Sequence, residues 1–118
     1  MQADSAFVAH LLDLLEPLGN VTAKRMFGGH GIFRDGLMFG LVADGIFYLK
    51  TDAENRPEFE ALVLPPFRYE GKVGKVTVMS YSRCPEEALD SSHAMAPWAS
   101  SAIAAAVRSG KAGKKRKK

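Results

Sequence analysis

Apolar residues open the chain at helical spacing. Phe7, Leu11, Leu14, Leu15 and Leu18 share one face, and Asp4 and Ser5 stand where a helix cap is wanted. Pro17 and Gly19 stop that helix, the first by lacking a donor and the second by accepting a left-handed backbone. From Lys24 the period shortens. Asp35-Gly36 and Asp44-Gly45 each separate two apolar runs, and Asp-Gly suits a type I′ hairpin turn, whose two central residues both need positive φ. A three-stranded meander over roughly residues 24–34, 37–43 and 46–50 follows from that spacing.

In TDAENRPEFEALVLPP, Asn55 as the cap puts Pro57 in the first turn of a short helix reaching about Leu62, and Pro65-Pro66 ends it. Val76, Val78 and Ser80 alternate with Thr77, Met79 and Tyr81, which predicts strands near 67–71 and 75–81 about a turn at Gly71–Gly74. Beyond Cys84-Pro85 the chain reads as helix to about Arg108, with Met95, Trp98, Ala102 and Ala105 on one face and Ile103 and Val107 widening it. Pro97 predicts a kink there, or two segments meeting near Ala96. The order α-β-β-β-α-β-β-α predicts an α+β fold: two layers, a five-stranded antiparallel sheet with helices mainly on one face.

Length and charge narrow this picture. The 118 residues suffice for one domain with one modest core. All 13 acidic residues precede Gly110, with 10 of the 16 basic ones, so residues 1–109 carry a net −3. The other six, Lys111, Lys114, Lys115, Arg116, Lys117 and Lys118, give the last eight residues +6. The composition predicts a domain over 1–109 and a disordered basic tail over 110–118, which either solubilises the chain or attracts nucleic acid weakly and without sequence preference. The acidic amino terminus lacks the pattern of a signal peptide, and no apolar run approaches the length of a membrane span. With a single cysteine, Cys84, these features predict a cytoplasmic chain without membrane contact, a monomer or homodimer.

The glycines of RMFGGHGIFRDGLMFG, residues 25–40, raise the question of a phosphate-binding loop. A P-loop needs GxxxxGK[ST] and a dinucleotide fingerprint GxGxxG, each opening a helix. Here Gly29-His30-Gly31 runs into Ile32, Phe33 and Arg34 and then into a hairpin. Glycine in a strand marks a bulge, a bend or a close backbone approach, so the first strand is expected to bend at Gly28, Gly29 or Gly31.

Arg25-Met26-Phe27-Gly28-Gly29-His30-Gly31, Leu37 to Val42, Gly45 to Lys50, the Thr77 to Tyr81 run ahead of Pro85-Glu86, and Trp98 together resemble the amino-terminal domain of TfoX (also called Sxy), the bacterial competence regulators. The resemblance covers roughly residues 5–108. It implies the same α+β fold and a small cytoplasmic regulatory or adaptor domain, working by contact with proteins of transcription or chromosome handling, with no catalytic activity to carry over. Met26, Phe27, Gly28, Gly29, Gly31 and Trp98 fall on its motif.

Candidate chemistry is sparse. His10, His30 and His93 lack the spacing of a helical metal pair, no nucleophile elbow surrounds any serine, and the glutamate pairs sit at helix starts or on exposed faces. The sequence therefore predicts no enzyme, no metal and no cofactor. Arg25, Lys50 and Tyr81 are the candidates for a polar patch at one end of the sheet that binds a partner carboxylate or small anion, against the alternative of strand-edge charges paired within the fold. Cys84, beside Arg83 at an expected helix start, is either a small capping residue or a redox-active thiol that links two protomers.

Overall fold

The computed structural model describes the backbone of residues 2–26, 29–64, 66–70 and 76–117. Helix α1 (Gln2–Leu15) passes through a 3-10 turn (Glu16–Leu18) into β1 (Val21–Met26), β2 (Gly29–Arg34), β3 (Leu37–Ala43) and β4 (Ile46–Lys50). Helix α2 (Arg56–Ala61), β5 (Pro66–Glu70), β6 (Val76–Arg83), a second 3-10 turn (Glu86–Asp90) and α3 (Ser92–Lys117) complete the chain. The sheet is antiparallel in the order β1-β2-β3-β4-β6-β5. The α+β class and the order of helices and strand groups are as the sequence predicts. Among the described residues the sheet has six strands, because the expected first strand folds back on itself, Met26 pairing with Gly29.

Both Asp-Gly hairpins form as predicted. Asp35 and Gly36 have φ of 52° and 83°, Asp44 and Gly45 of 54° and 74°, the double left-handed conformation of a type I′ turn. Between β2 and β3 the register slips: Ile32 faces Gly40 but Phe33 faces Met38, so Phe39 is the extra residue of a bulge. The slip lets adjacent residues face the helices, Phe39 filling the core while a Cβ on Gly40 would lie 2.6 Å from the Phe47 ring.

The core lies between the sheet and the helices. Ile32, Phe39, Val42, Phe47 and Leu49 meet Val8, Leu11 and Leu15 of α1, Phe59 of α2, and Met95, Ala99, Ala102 and Ala106 of α3. Alanines on α3 let its backbone approach the sheet closely, and the half-buried Trp98 ring packs edge-on against Phe59 at 5.2 Å.

Three expectations about helix ends change. Helix α1 starts at Gln2, so Asp4 and Ser5 lie inside its first turn. The break in the last helical stretch falls at Ser91, whose hydroxyl accepts from the Ala94 N–H at 3.0 Å, and Pro97 lies within α3. A serine cap that satisfies an orphan donor is a better boundary than a proline in the second turn, which removes a single backbone bond. The backbone of α3 also continues to Lys117, where the charge run predicts a disordered tail. Alanine, lysine and arginine favour helix, and extending a helix already held by packing needs no new nucleus.

Candidate functional site

The three residues expected to share a polar patch are placed in two groups. Lys50 pairs with Tyr81 across β4 and β6. Its Nζ lies 5.2 Å above the Tyr81 ring and donates to Ser80 Oγ at 2.8 Å. Between Pro66 and Arg68 the partner strand runs from Ser82 to Val78, so Phe67 stands against three residues of β6. Burial lowers the pKa of Lys50 and the charge of Asp52 raises it, while burial pushes the Tyr81 phenol up to about 12. Arg25 stands apart. It faces His30 on β1, His30 faces the core residue Val42, and so Arg25 is on the helix side of the sheet. Lys50, next to core residue Leu49, is on the other side and three strand spacings away, about 14 Å.

Of the motif residues, Phe27 and Gly28 lie outside the described residues, as does the Met26 side chain. Gly29 and Gly31 keep φ out of the left-handed region. Gly29 answers to close approach instead: a Cβ there would sit 2.0 Å from the carbonyl oxygen of Val42. Gly31 faces Leu41 within the sheet. His30 Nδ1 is buried with no hydrogen-bond partner among the described residues.

Cys84 is 3% exposed, and its Sγ donates to the Pro85 carbonyl at 3.5 Å. Burial, helped by Glu87, pushes the thiol up to about 12, opposite to the lowered value a cation and a helix terminus would produce. Arg83 is a strand residue that faces Tyr48, and the segment after Cys84 is a 3-10 turn with two glutamates in front. Mild oxidation is therefore expected to leave the chain as a single band on nonreducing electrophoresis; a dimer band that Cys84→Ser removes would contradict this.

The sequence reading missed the main polar cluster, where β4 meets α2 and α3. Asn55 is 3% exposed; its Nδ2 donates to Lys50 O, Ser101 O and Ser101 Oγ at 3.1–3.3 Å, and its Oδ1 accepts from the Asp52 N–H at 2.8 Å. Asp52 Oδ1 in turn accepts from the N–H groups of Glu54 and Asn55. Arg108 of α3 grips Asp52 with two nitrogens and reaches Glu54 at 3.3 Å. Asn55 does occupy the cap position of α2, but it caps no α2 donor; it bolts the loop to α3. The dense run of capping types in TDAEN was the available signal.

The Arg108 hydrogen bond, reinforced by the two backbone donors, lowers the pKa of Asp52 from 3.8 to about 2. A depressed carboxylate pKa contributes stability that is present above the unfolded value and is lost as pH falls through the folded one. Asp52→Asn should therefore flatten the fall in stability between about pH 4 and pH 2 in acid denaturation; an unchanged acid limb would refute the assignment.

Beside this cluster a cleft of about 390 Å³ runs between α2 and the β5–β6 edge, lined by Thr51, Ser80, Ser82, Arg56 and Glu60 among others. It offers hydroxyl donors and one guanidinium, with a carboxylate opposed to any anion. Among the described residues no three histidine, cysteine, aspartate or glutamate side chains gather as a metal site. Among those residues no helix is long and apolar enough to cross a membrane.

Residues 13–106 match the TfoX N-terminal domain. The chain is also similar to the DNA transformation protein TfoX1 of Aliivibrio fischeri, with 35% identity over 66 residues, 56% of this chain and 32% of that protein. The matched segment thus spans about a third of the relative's length. With a matching region that includes the meander, α2, the β5–β6 pair and most of the packed part of α3, the chain belongs to the TfoX N-terminal domain family.

Proposed function

We propose that this chain is a non-enzymatic, cytoplasmic regulatory or adaptor domain that acts by contact with a protein of the transcription or chromosome-handling machinery. The observation that carries the reading is the family match to a domain found in a DNA transformation protein. The side-chain chemistry supports it. The main polar cluster is committed to bolting a loop to α3, and the one thiol is buried with a raised pKa. Native lysate treated with nuclease and run by size exclusion tests the reading: the chain should elute at higher mass than the purified protein. Elution at its own mass would count against a stable partner.

The separation of charge at Gly110 favours a second reading, weak nucleic-acid binding by the tail. The side chains of 110–117, and Lys118, lie outside the described residues, so charge alone supports it. Six cations neutralise at most about six phosphates, and the logarithm of duplex affinity should fall against the logarithm of salt with a slope no steeper than about −5. Removal of residues 110–118 should abolish that binding. Equal affinity without the tail would overturn this reading.

A further inference from the structure

We propose that the cleft between α2 and the β5–β6 edge binds a small zwitterion, a free α-amino acid with an aliphatic side chain. This goes beyond the protein-contact reading and does not depend on it.

The floor of the cleft is polar where the sheet elsewhere presents core. Along β4 the helix-facing positions Phe47 and Leu49 lie in the core, and Thr51 comes next in that alternation, its N–H donating to Ser80 O at 2.9 Å and so continuing the pairing with β6. Ser82 faces Leu49, which puts it on the same side of the sheet. Thr51 and Ser82 are 2% and 6% exposed, and both line the cleft. Buried hydroxyls are as a rule hydrogen-bonded, yet neither of these side-chain oxygens bonds to another described residue. Valine and alanine would fill the same places without an unpaired polar atom, so the hydroxyls answer to what the cleft takes in.

Above them stand charges of both signs. Arg56 and Glu60 are four positions apart on α2, hence on one face of it, and both line the cleft. Neither forms an ion pair with the other or with any described residue. Ser80 accepts from Lys50 Nζ at 2.8 Å and keeps its own O–H to donate, while Leu64 and Pro66 supply an apolar wall.

These groups choose among ligands. A simple anion meets Arg56 but is opposed by Glu60, and a simple cation meets Glu60 but is opposed by Arg56. A sugar uses the hydroxyls and leaves both charges idle. A zwitterion answers both, its carboxylate on the guanidinium fork and its ammonium on Glu60, with the hydroxyls serving the remaining lone pairs and protons. An aliphatic side chain then lies against Leu64 and Pro66. The volume of about 390 Å³ is near the small end of ligand pockets, which suits a molecule of this size.

The test is a heteronuclear NMR titration of the full-length chain with L-leucine, beside isocaproate, which lacks the ammonium, and isoamylamine, which lacks the carboxylate. Leucine should shift the amides of Thr51, Arg56, Glu60 and Ser82 with Kd on the order of 1 mM or tighter. Each single-charge analogue should bind about tenfold more weakly. Arg56→Gln and Glu60→Gln should each weaken leucine about tenfold, and Glu60→Gln should strengthen isocaproate about threefold by removing the opposed charge. Thr51→Val with Ser82→Ala should weaken leucine about threefold without lowering the melting temperature. Glu58→Gln, on α2 but outside the cleft lining, should change nothing, and circular dichroism melts confirm that each variant is folded. The proposal is overturned by absence of shifts up to about 20 mM leucine, by equal affinity for either analogue, by equal losses for Glu58→Gln and Glu60→Gln, or by a lower melting temperature when the two hydroxyls are removed.

Discussion

Gly29→Ala is expected to cost about 3 kcal/mol or more, because the added methyl would lie 2.0 Å from Val42 O and 3.1 Å from Val42 C. Both atoms are backbone of the neighbouring strand, so no side-chain rotation relieves the contact, and β2 must separate from β3 at the end where the chain has just turned from β1. Three of the six strands feel the change. In a domain of this size the loss corresponds to a melting temperature lower by roughly 10 °C or more. A melt within 2–3 °C of the parent, roughly the effect of 0.5 kcal/mol, would show that the strands are not in close approach at Gly29.

Asn55→Ala is the second large effect, expected at about 3 kcal/mol. The side chain is buried and its amide serves Lys50 O and the Ser101 carbonyl and hydroxyl, while its oxygen serves the Asp52 N–H. Truncation strands a backbone donor and a backbone acceptor in a half-buried site, each costing about 1–3 kcal/mol, offset in part where water enters. It also frees the loop that presents Asp52 to Arg108, so Asn55→Ala and Asp52→Ala should be less than additive. Asn55→Asp is the informative control. It retains the acceptor and loses the donors, and should recover only a minor part of the loss. Chemical denaturation of the two single variants and the double measures all of this; full additivity would contradict the shared network.

What could be read from the sequence was what local chemistry decides. The Asp-Gly pairs carried their turn type in two residues, and both hairpins formed. The apolar face of α3 was legible because Met95, Ala102 and Ala105 recur at helical spacing and are all buried. The fold-back between Met26 and Gly29 was not, because a glycine pair inside an apolar run reads equally as a bulge or a turn. Only the pairing of Met26 with Gly29 separates the two.

The candidate site depended on information of a different kind. Lys50 and Tyr81 meet because β4 pairs with β6, a contact between residues 31 positions apart in the chain. Arg25 shares a motif with them in sequence, but strand order and side-chain alternation put it on the other face, and neither can be read from Arg25 itself. The bulge at Phe39 compounds this, since one extra residue reverses which positions face the core. The Asn55 bolt joins a loop to Ser101, 46 positions on, and left only its cluster of capping residue types as a trace.

A protein partner of the kind proposed would be held by the domain in stoichiometric amount. Tagged chain recovered from its native lysate after nuclease treatment should retain one protein in a fixed molar ratio, resistant to moderate salt, and should still retain it when the basic tail is removed. Loss of all retained material on nuclease treatment, or recovery only while the tail is present, would contradict the account and leave nucleic-acid contact in its place.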